Sequence, residues 1–326
     1  MQLGARPLTS SEDDQALYVT RPVDDRVEAV LVAGGNVLVG ARRGSGATSM
    51  LNRLENRIAG PTVVSINAAE ASSAEEVIGA VAARSGLPRQ ILGQIAASFS
   101  RFDPLAPPAA LDELRSWLRE HERRLVVLID GPIDAEISHD LFGRFRDEVF
   151  GIPAAWLVVA HDEGAADYLE PPADVFFEHV DRIDDMDSAR TKKLLLARGV
   201  GNELSADALA AIIDTHDGTP RGVVTLARSF ASRSPEESEA FLRAHAEASA
   251  SLDRGPAMLL AELQGHGPAS ATDAKLVGRL GVTTRQLRRY FDALQEAGLV
   301  EVVPSARQGP GRPPTTYMLT ALGSIA

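Results

Sequence analysis

Short apolar runs alternate with amphipathic ones along the first half of the chain. "NVLVG" (36–40), "TVVSINA" (62–68), "LVVLID" (125–130) and "AWLVVAH" (155–161) are rich in β-branched residues, and "VFFEHV" (175–180) is a shorter run of the same kind. Continuous apolar runs of this length predict strands buried on both faces. Between them, "TSMLNRLENRIAG" sets Met50, Leu51, Leu54 and Ile58 at helical spacing and stops at Gly60. Similar spacing predicts helices over 23–34, 73–84, 88–98, 108–122 and 136–149, with the Pro-containing 102–108 as a loop. Strands alternating with helices predict an α/β fold with a three-layer, mostly parallel sheet. After Asp185 only helical periodicity continues, over 187–198, 205–215, 220–232 and 235–250. "LDRGP" (252–256) reads as a hinge before a last unit. The expected layout is a polar, partly ordered lead-in at 1–20, an α/β domain at 21–185, a helical domain at 186–252 and a small domain at 256–326.

Composition narrows the classes. The 326 residues are enough for two or three domains, and 44% apolar content is ordinary for globular chains. No run approaches 18 apolar residues, so no membrane span is expected, and the first residues lack the apolar core of a signal peptide. Zero cysteines exclude disulfides, thiolate metal sites and cysteine nucleophiles. The seven histidines are dispersed and suggest no metal site. Together these predict a cytoplasmic protein, and the Ala, Arg and Gly usage suits a GC-rich bacterial genome. A net charge of −12 argues against non-specific nucleic-acid binding by the whole surface. From Pro256 onward, however, seven Lys/Arg oppose five acids, which marks a basic module on an acidic body.

The stretch "VLVGARRGSGATSML" carries the first candidate chemistry. A strand, a Gly-rich turn and a helix start form an anion cradle: glycines let the backbone approach phosphates, and free N–H groups and the helix dipole favour negative charge. In the pattern G-x-x-x-x-G-K-[ST], a lysine reaches the β/γ-phosphates and a hydroxyl reaches magnesium. Here Gly44, Ser45, Gly46, Thr48 and Ser49 match the end of the pattern, and Ala47 stands at the lysine position. Ala41 occupies the first glycine position and Gly40 falls one residue early, so the loop is either one residue long or has lost that glycine. Asp130 ends the strand that would supply a magnesium ligand, but Gly131 follows it where a catalytic carboxylate would be expected, and Asp134 is at the wrong offset. Removing one well-placed donor costs roughly 100- to 1000-fold in rate, so losing lysine and base together leaves little turnover. Arg42 and Arg43 read as solvent-facing, and arginine is no steric match for the lysine. The cofactor implied is ATP or ADP with magnesium, and the alternative is a Gly-rich turn with no ligand.

These residues, with "YVTRPVDDRVEAVLVAGGN" ahead of them and "RLVVLID" after, resemble AAA+ ATPases of the origin-recognition/initiator type and the related signal-transduction (STAND) ATPases. The resemblance implies a P-loop domain, a helical lid and degenerate nucleotide motifs. It puts His161 at the polar sensor position that ends a strand. It also puts Arg221, in "HDGTPRGVVTLARSFA", at the lid arginine that reaches toward a γ-phosphate. No arginine finger can be assigned, and Arg144 or Arg146 would be a guess.

The C-terminal stretch reads as helix, turn, helix and a two-stranded wing. "DAKLVGRLG" stops at Gly281, Thr283 or Thr284 caps the next helix, and Leu287, Tyr290, Phe291, Leu294 and Leu299 form its apolar face. It resembles a winged-helix domain, which implies that Thr284, Arg285, Arg288 and Arg289 face a major groove and that Arg307 and Arg312 sit in the wing. A winged helix can also bind protein. The expected partners are double-stranded DNA, further copies of the chain or a catalytic AAA+ partner. The functional readings are a DNA-binding regulator or genome-maintenance factor with a non-hydrolysing nucleotide site, an active ATP-dependent loader, or a non-enzymatic adaptor.

Overall fold

The computed structural model describes residues 4, 6–68, 71–99, 106–131, 133–161, 164–200, 204–231, 233–303, 315–320 and 322–323. The chain divides into two compact units: Pro7–Arg42 with Ala47–Asp184, and Asp185–Ala326 with Arg43–Gly46 and the start of the chain.

The first unit runs α1 (Glu12–Ala16), α2 (Pro22–Ala33), β1 (Val37–Ala41), α3 (Ala47–Arg57), β2 (Thr62–Asn67), α4 (Ala74–Arg84), α5 (Arg89–Phe99), α6 (Ala106–Glu120), β3 (Leu125–Asp130), α7 (Ala135–His139), α8 (Arg146–Gly151), β4 (Ala154–His161) and β5 (His179–Arg182). Five parallel strands lie in the order β2-β3-β4-β1-β5. Period-two alternation sorts their side chains into two cores. Val37, Val39, Val126, Leu128, Leu157 and Val159 pack with Val27 and Leu31 of α2 and Met50, Leu51 and Leu54 of α3. Leu38, Val64, Ile66, Val127, Ile129 and Val158 pack with α4, α6, α7 and α8. Two helical layers therefore enclose the sheet, as the strand–helix alternation implies. Burying each large aliphatic side chain contributes about 1.5–3 kcal/mol.

One expectation is corrected here. The helix over 136–149 is interrupted: a π-helical turn, Asp140–Arg144, separates α7 from α8. A Cβ on Gly143 would approach Pro172 Cγ to 2.7 Å, so the interruption sits where another segment comes unusually close. Within the lead-in, α1 forms over Glu12–Ala16, and Leu8 and Asp14 are buried.

The second unit runs α9 (Ser188–Ala197), α10 (Ala206–Thr215), α11 (Pro220–Ala231), α12 (Pro235–Ala250), α13 (Arg254–His266), β6 (Ala269–Ser270), α14 (Ala274–Leu280), α15 (Thr284–Glu296), β7 (Val300–Val303) and β8 (Thr316–Leu319). The expected hinge at 252–256 instead contains a helix start, with Gly255 and Pro256 inside the first turn of α13. Proline is well tolerated there because that turn has no internal N–H acceptor to satisfy. Three antiparallel strands pair in the order β6-β8-β7. The core below them holds Leu259, Leu263, Leu276, Leu287, Phe291, Leu294 and Leu299, and Phe291 stacks on Tyr317 at 4.4 Å between ring centroids.

Candidate functional site

Gly40 lies inside β1, opposite Ala160 of β4 and Arg182 of β5, and its carbonyl accepts from Ile183 N. It is ladder backbone, with its carbonyl committed to the sheet, so it adds nothing to the turn that follows. The helix opens at Ala47, the lysine position, so no ammonium is present there. Thr48 is half-buried in its first turn and makes no hydrogen bond among the described residues. Asp130 ends β3 opposite Asn67, and its carbonyl accepts from Ala68 N at 3.0 Å. Gly131 turns the chain away with φ +86°. Asp134 is explained structurally, because its carboxylate caps α7 by accepting from Glu136 N at 3.0 Å. His161 ends β4 opposite Ala41. Arg144 pairs with Asp140 at 3.9 Å and Arg146 with Asp147 at 3.3 Å.

In the second unit, the turn 43–46 meets the first turn of α11. Asp217 Oδ1 accepts from Thr219 N and Oγ1, both at 2.8 Å, and Thr219 Oγ1 accepts from Gly222 N at 3.0 Å. Pro220 opens the helix. Arg221 N donates to Gly44 O at 3.3 Å. Gly44 has φ +81°, and a Cβ there would lie 2.9 Å from Arg221 Cβ. Glycine is thus required both for the conformation and for the close approach. The structure therefore brings together two residues chosen from separate motifs. The Arg221 side chain is exposed and makes no hydrogen bond or ion pair among the described residues. Arg43, expected to face solvent, is exposed but directed: its Nη1 donates to His266 O at 2.8 Å, at the C-terminal end of α13. Cations are favoured at such an end. Behind α11, Gly218 N donates to His216 Nδ1 at 2.9 Å, which assigns the ring proton to Nε2, 3.1 Å from Thr191 Oγ1. Burial holds the His216 pKa below its ordinary value, against a raising influence from Asp217 and Asp185.

One polar arrangement escaped sequence reasoning. Ser49, Asn52 and Asn56 form one stripe of α3 and hold the lead-in by its backbone. Ser49 Oγ accepts from Leu8 N at 3.0 Å, Asn52 Nδ2 donates to Leu8 O at 2.8 Å, and Asn56 Nδ2 donates to Ser10 O at 2.7 Å. Ser49, a candidate for a nucleotide, is thus engaged by the chain itself. Nearby, Tyr18 OH donates to Asp24 Oδ1 at 3.0 Å, and Arg21 N donates to Asp24 Oδ2 at 2.8 Å. Burial pushes both the Tyr18 and Asp24 pKa values up. The three- and four-residue spacing of the stripe was visible, but its backbone partners lie more than 40 positions upstream.

The DNA-facing candidates gather on α15. Thr283 and Gln286 form a reciprocal cap, and Leu287, Phe291 and Leu294 are buried. This leaves Thr284, Arg285, Arg288 and Arg289 exposed on the outer face. None of these three arginines has a hydrogen bond or ion pair among the described residues, whereas Arg279 of α14 pairs with Glu262 at 3.1 Å. Arg307 and Arg312 lie outside the described residues.

Neither a protein-family model nor a characterised protein sequence matches the chain. Solved structures do. The chain is similar to the ORC2 protein of Aeropyrum pernix, a structure of ADPNP–ADP complexes, with 19% identity, 95% of this chain and 94% of that chain covered, and a TM-score of 0.50. It is also similar to Cdc6p of Pyrobaculum aerophilum, with 16% identity, 94% and 93% coverage and a TM-score of 0.48. The ORC1 protein of A. pernix in complex with DNA gives 17% identity, 98% and 92% coverage and a TM-score of 0.45. The five-stranded parallel sheet between two helical layers is an α/β fold, and it is the fold shared with the A. pernix ORC2 protein. Among the described residues no helix is long and apolar enough to cross a membrane, and no cluster of three His, Asp or Glu could hold a metal ion.

Proposed function

We propose that the chain is a DNA-binding regulator or genome-maintenance factor on an AAA+ scaffold, with a degenerate nucleotide loop that does not hydrolyse. The observation that carries the reading is the exposed trio Arg285, Arg288 and Arg289 on α15, whose side chains make no hydrogen bond or ion pair among the described residues, in a chain of net charge −12. Cations so placed on one helix face suit an external polyanion. In this reading α13–α15 with β6–β8 form a winged helix, α9–α12 a lid, and Arg307 and Arg312 belong to the wing.

The residues fit part of a nucleotide's requirements. Within the second unit, the Gly44–Gly46 backbone suits phosphate oxygens and Arg221 supplies a positive charge. They do not fit turnover: Ala47 has no ammonium, Gly131 has no carboxylate, and Arg43 is held at His266 O. No hydrolytic step is therefore derived.

In the expected outcome, the full chain binds a labelled duplex, and replacing Arg285, Arg288 and Arg289 together by Ala lowers affinity on the order of 100-fold or more. ATP turnover by the full chain should not exceed that of Asp130→Ala, and a clear excess would restore the active-loader reading. Undiminished duplex binding by the triple variant would favour the second reading, an adaptor for a catalytic AAA+ partner, which the missing lysine also suits.

A further inference from the structure

We propose that α15 selects G·C base pairs, so that the ligand of this face is a duplex with guanines in its major groove. The inference rests on the DNA-binding reading and adds to it the identity of the bases read.

In a helix laid into a major groove, residues of the first two turns reach base edges. On α15 the exposed residues there are Thr284, Arg285, Gln286, Arg288 and Arg289. Each base has a preferred reader: arginine forks onto guanine O6 and N7, Asn or Gln pairs with adenine N6 and N7, and a carboxylate accepts from cytosine N4. Gln286 is the sole amide in this stretch, and the fold occupies it: its Oε1 accepts from Thr283 N and Thr283 Oγ1, both at 2.9 Å. Adenine needs an amide's oxygen and nitrogen together, so Gln286 cannot read it without opening the cap. Tyr290 is also committed, because its ring lies against Gly255 of α13, where a Cβ would come within 2.3 Å. That leaves three forked guanidiniums and Thr284, which accepts many partners. The first two turns of α15 thus carry readers for guanine and no available reader for adenine.

A purely electrostatic face would use arginine for phosphates and show no base preference. The two cases separate cleanly. Full-length protein is titrated against three duplexes of equal length and flanks: a G·C core, an A·T core, and the G·C core with 7-deazaguanine, which lacks the N7 acceptor. The expected result is about 10-fold or more tighter binding to the G·C core than to either other duplex. At least one of Arg285→Ala, Arg288→Ala and Arg289→Ala should lower the ratio of G·C to A·T affinity, beyond an equal loss on both. Equal affinity for all three duplexes, or ratios unmoved by every single variant, overturns base selection while leaving DNA binding in place. Failure to bind any duplex overturns both.

Discussion

α3 and α15 are built to the same plan and use their polar faces in opposite ways. Each begins just after a glycine turn, at Gly46 and Gly281, and each buries an apolar stripe: Met50, Leu51 and Leu54 in one, Leu287, Phe291 and Leu294 in the other. The polar stripe of α3 is consumed within the chain, by the backbone of Leu8 and Ser10. The side chains of Arg285, Arg288 and Arg289 on α15 make no hydrogen bond or ion pair among the described residues. Side chains that find partners inside contribute to stability, and those that do not are available to something else. The first helix carries the motif that catches the eye, yet the second has the freer chemistry.

The comparison breaks if stability fails to divide the same way. Leu8→Ala, at the centre of what α3 holds, should cost about 2–3 kcal/mol in denaturant unfolding. Asn52→Ala should cost about 1 kcal/mol by leaving the Leu8 carbonyl without its donor. Replacing Arg285, Arg288 and Arg289 by Ala should move stability by no more than about 0.5 kcal/mol each. A large loss from the arginine variants would show that their face is engaged inside the protein.

A smaller effect sharpens the other side. Ala47→Lys restores the missing cation at the start of α3, and a charge-assisted hydrogen bond to phosphate is worth about 1.5–3 kcal/mol. ATP affinity, titrated with and without magnesium, should therefore rise roughly 10-fold or more. No gain would mean that the turn has lost its cradle as well as its lysine.

The smallest effect concerns a group used internally in the second unit. The His216 pKa is lowered, first by burial, so as pH falls through the ordinary histidine value the unfolded chain binds more protons than the folded one. Stability should be full above the ordinary histidine value of 6.5 and decline as pH falls from there through the folded value. His216→Asn should flatten that decline in melting curves taken across the same range, and an unchanged slope would assign the decline to other groups.

Much of this was legible in the sequence, for identifiable reasons. β1 and β3 announced themselves because strands covered on both faces need uninterrupted apolar residues. The start of α13 did not, because Gly255 and Pro256 carry the same composition as a hinge. β6 has only two residues, too few for any period to show. The break at Asp140–Arg144 was hidden because it answers to Pro172, a later part of the chain. Gly44 and Arg221 were singled out from separate motifs, and their backbones meet through Arg221 N and Gly44 O. The destination of Arg43 was not legible, because its acceptor lies 223 residues away.

The Gly44–Arg221 contact has a consequence for inheritance. The turn and α11 are 177 positions apart along the chain from Gly44 to Arg221, yet at this corner they leave no room for a methyl group between them. A side chain at 44 would face both an unfavourable φ and the stem of Arg221. A lineage could change the residue at 47 by exchanging one side chain. To change the glycine at 44 it would have to remake the corner, so the turn is kept by the fold whatever residue follows it.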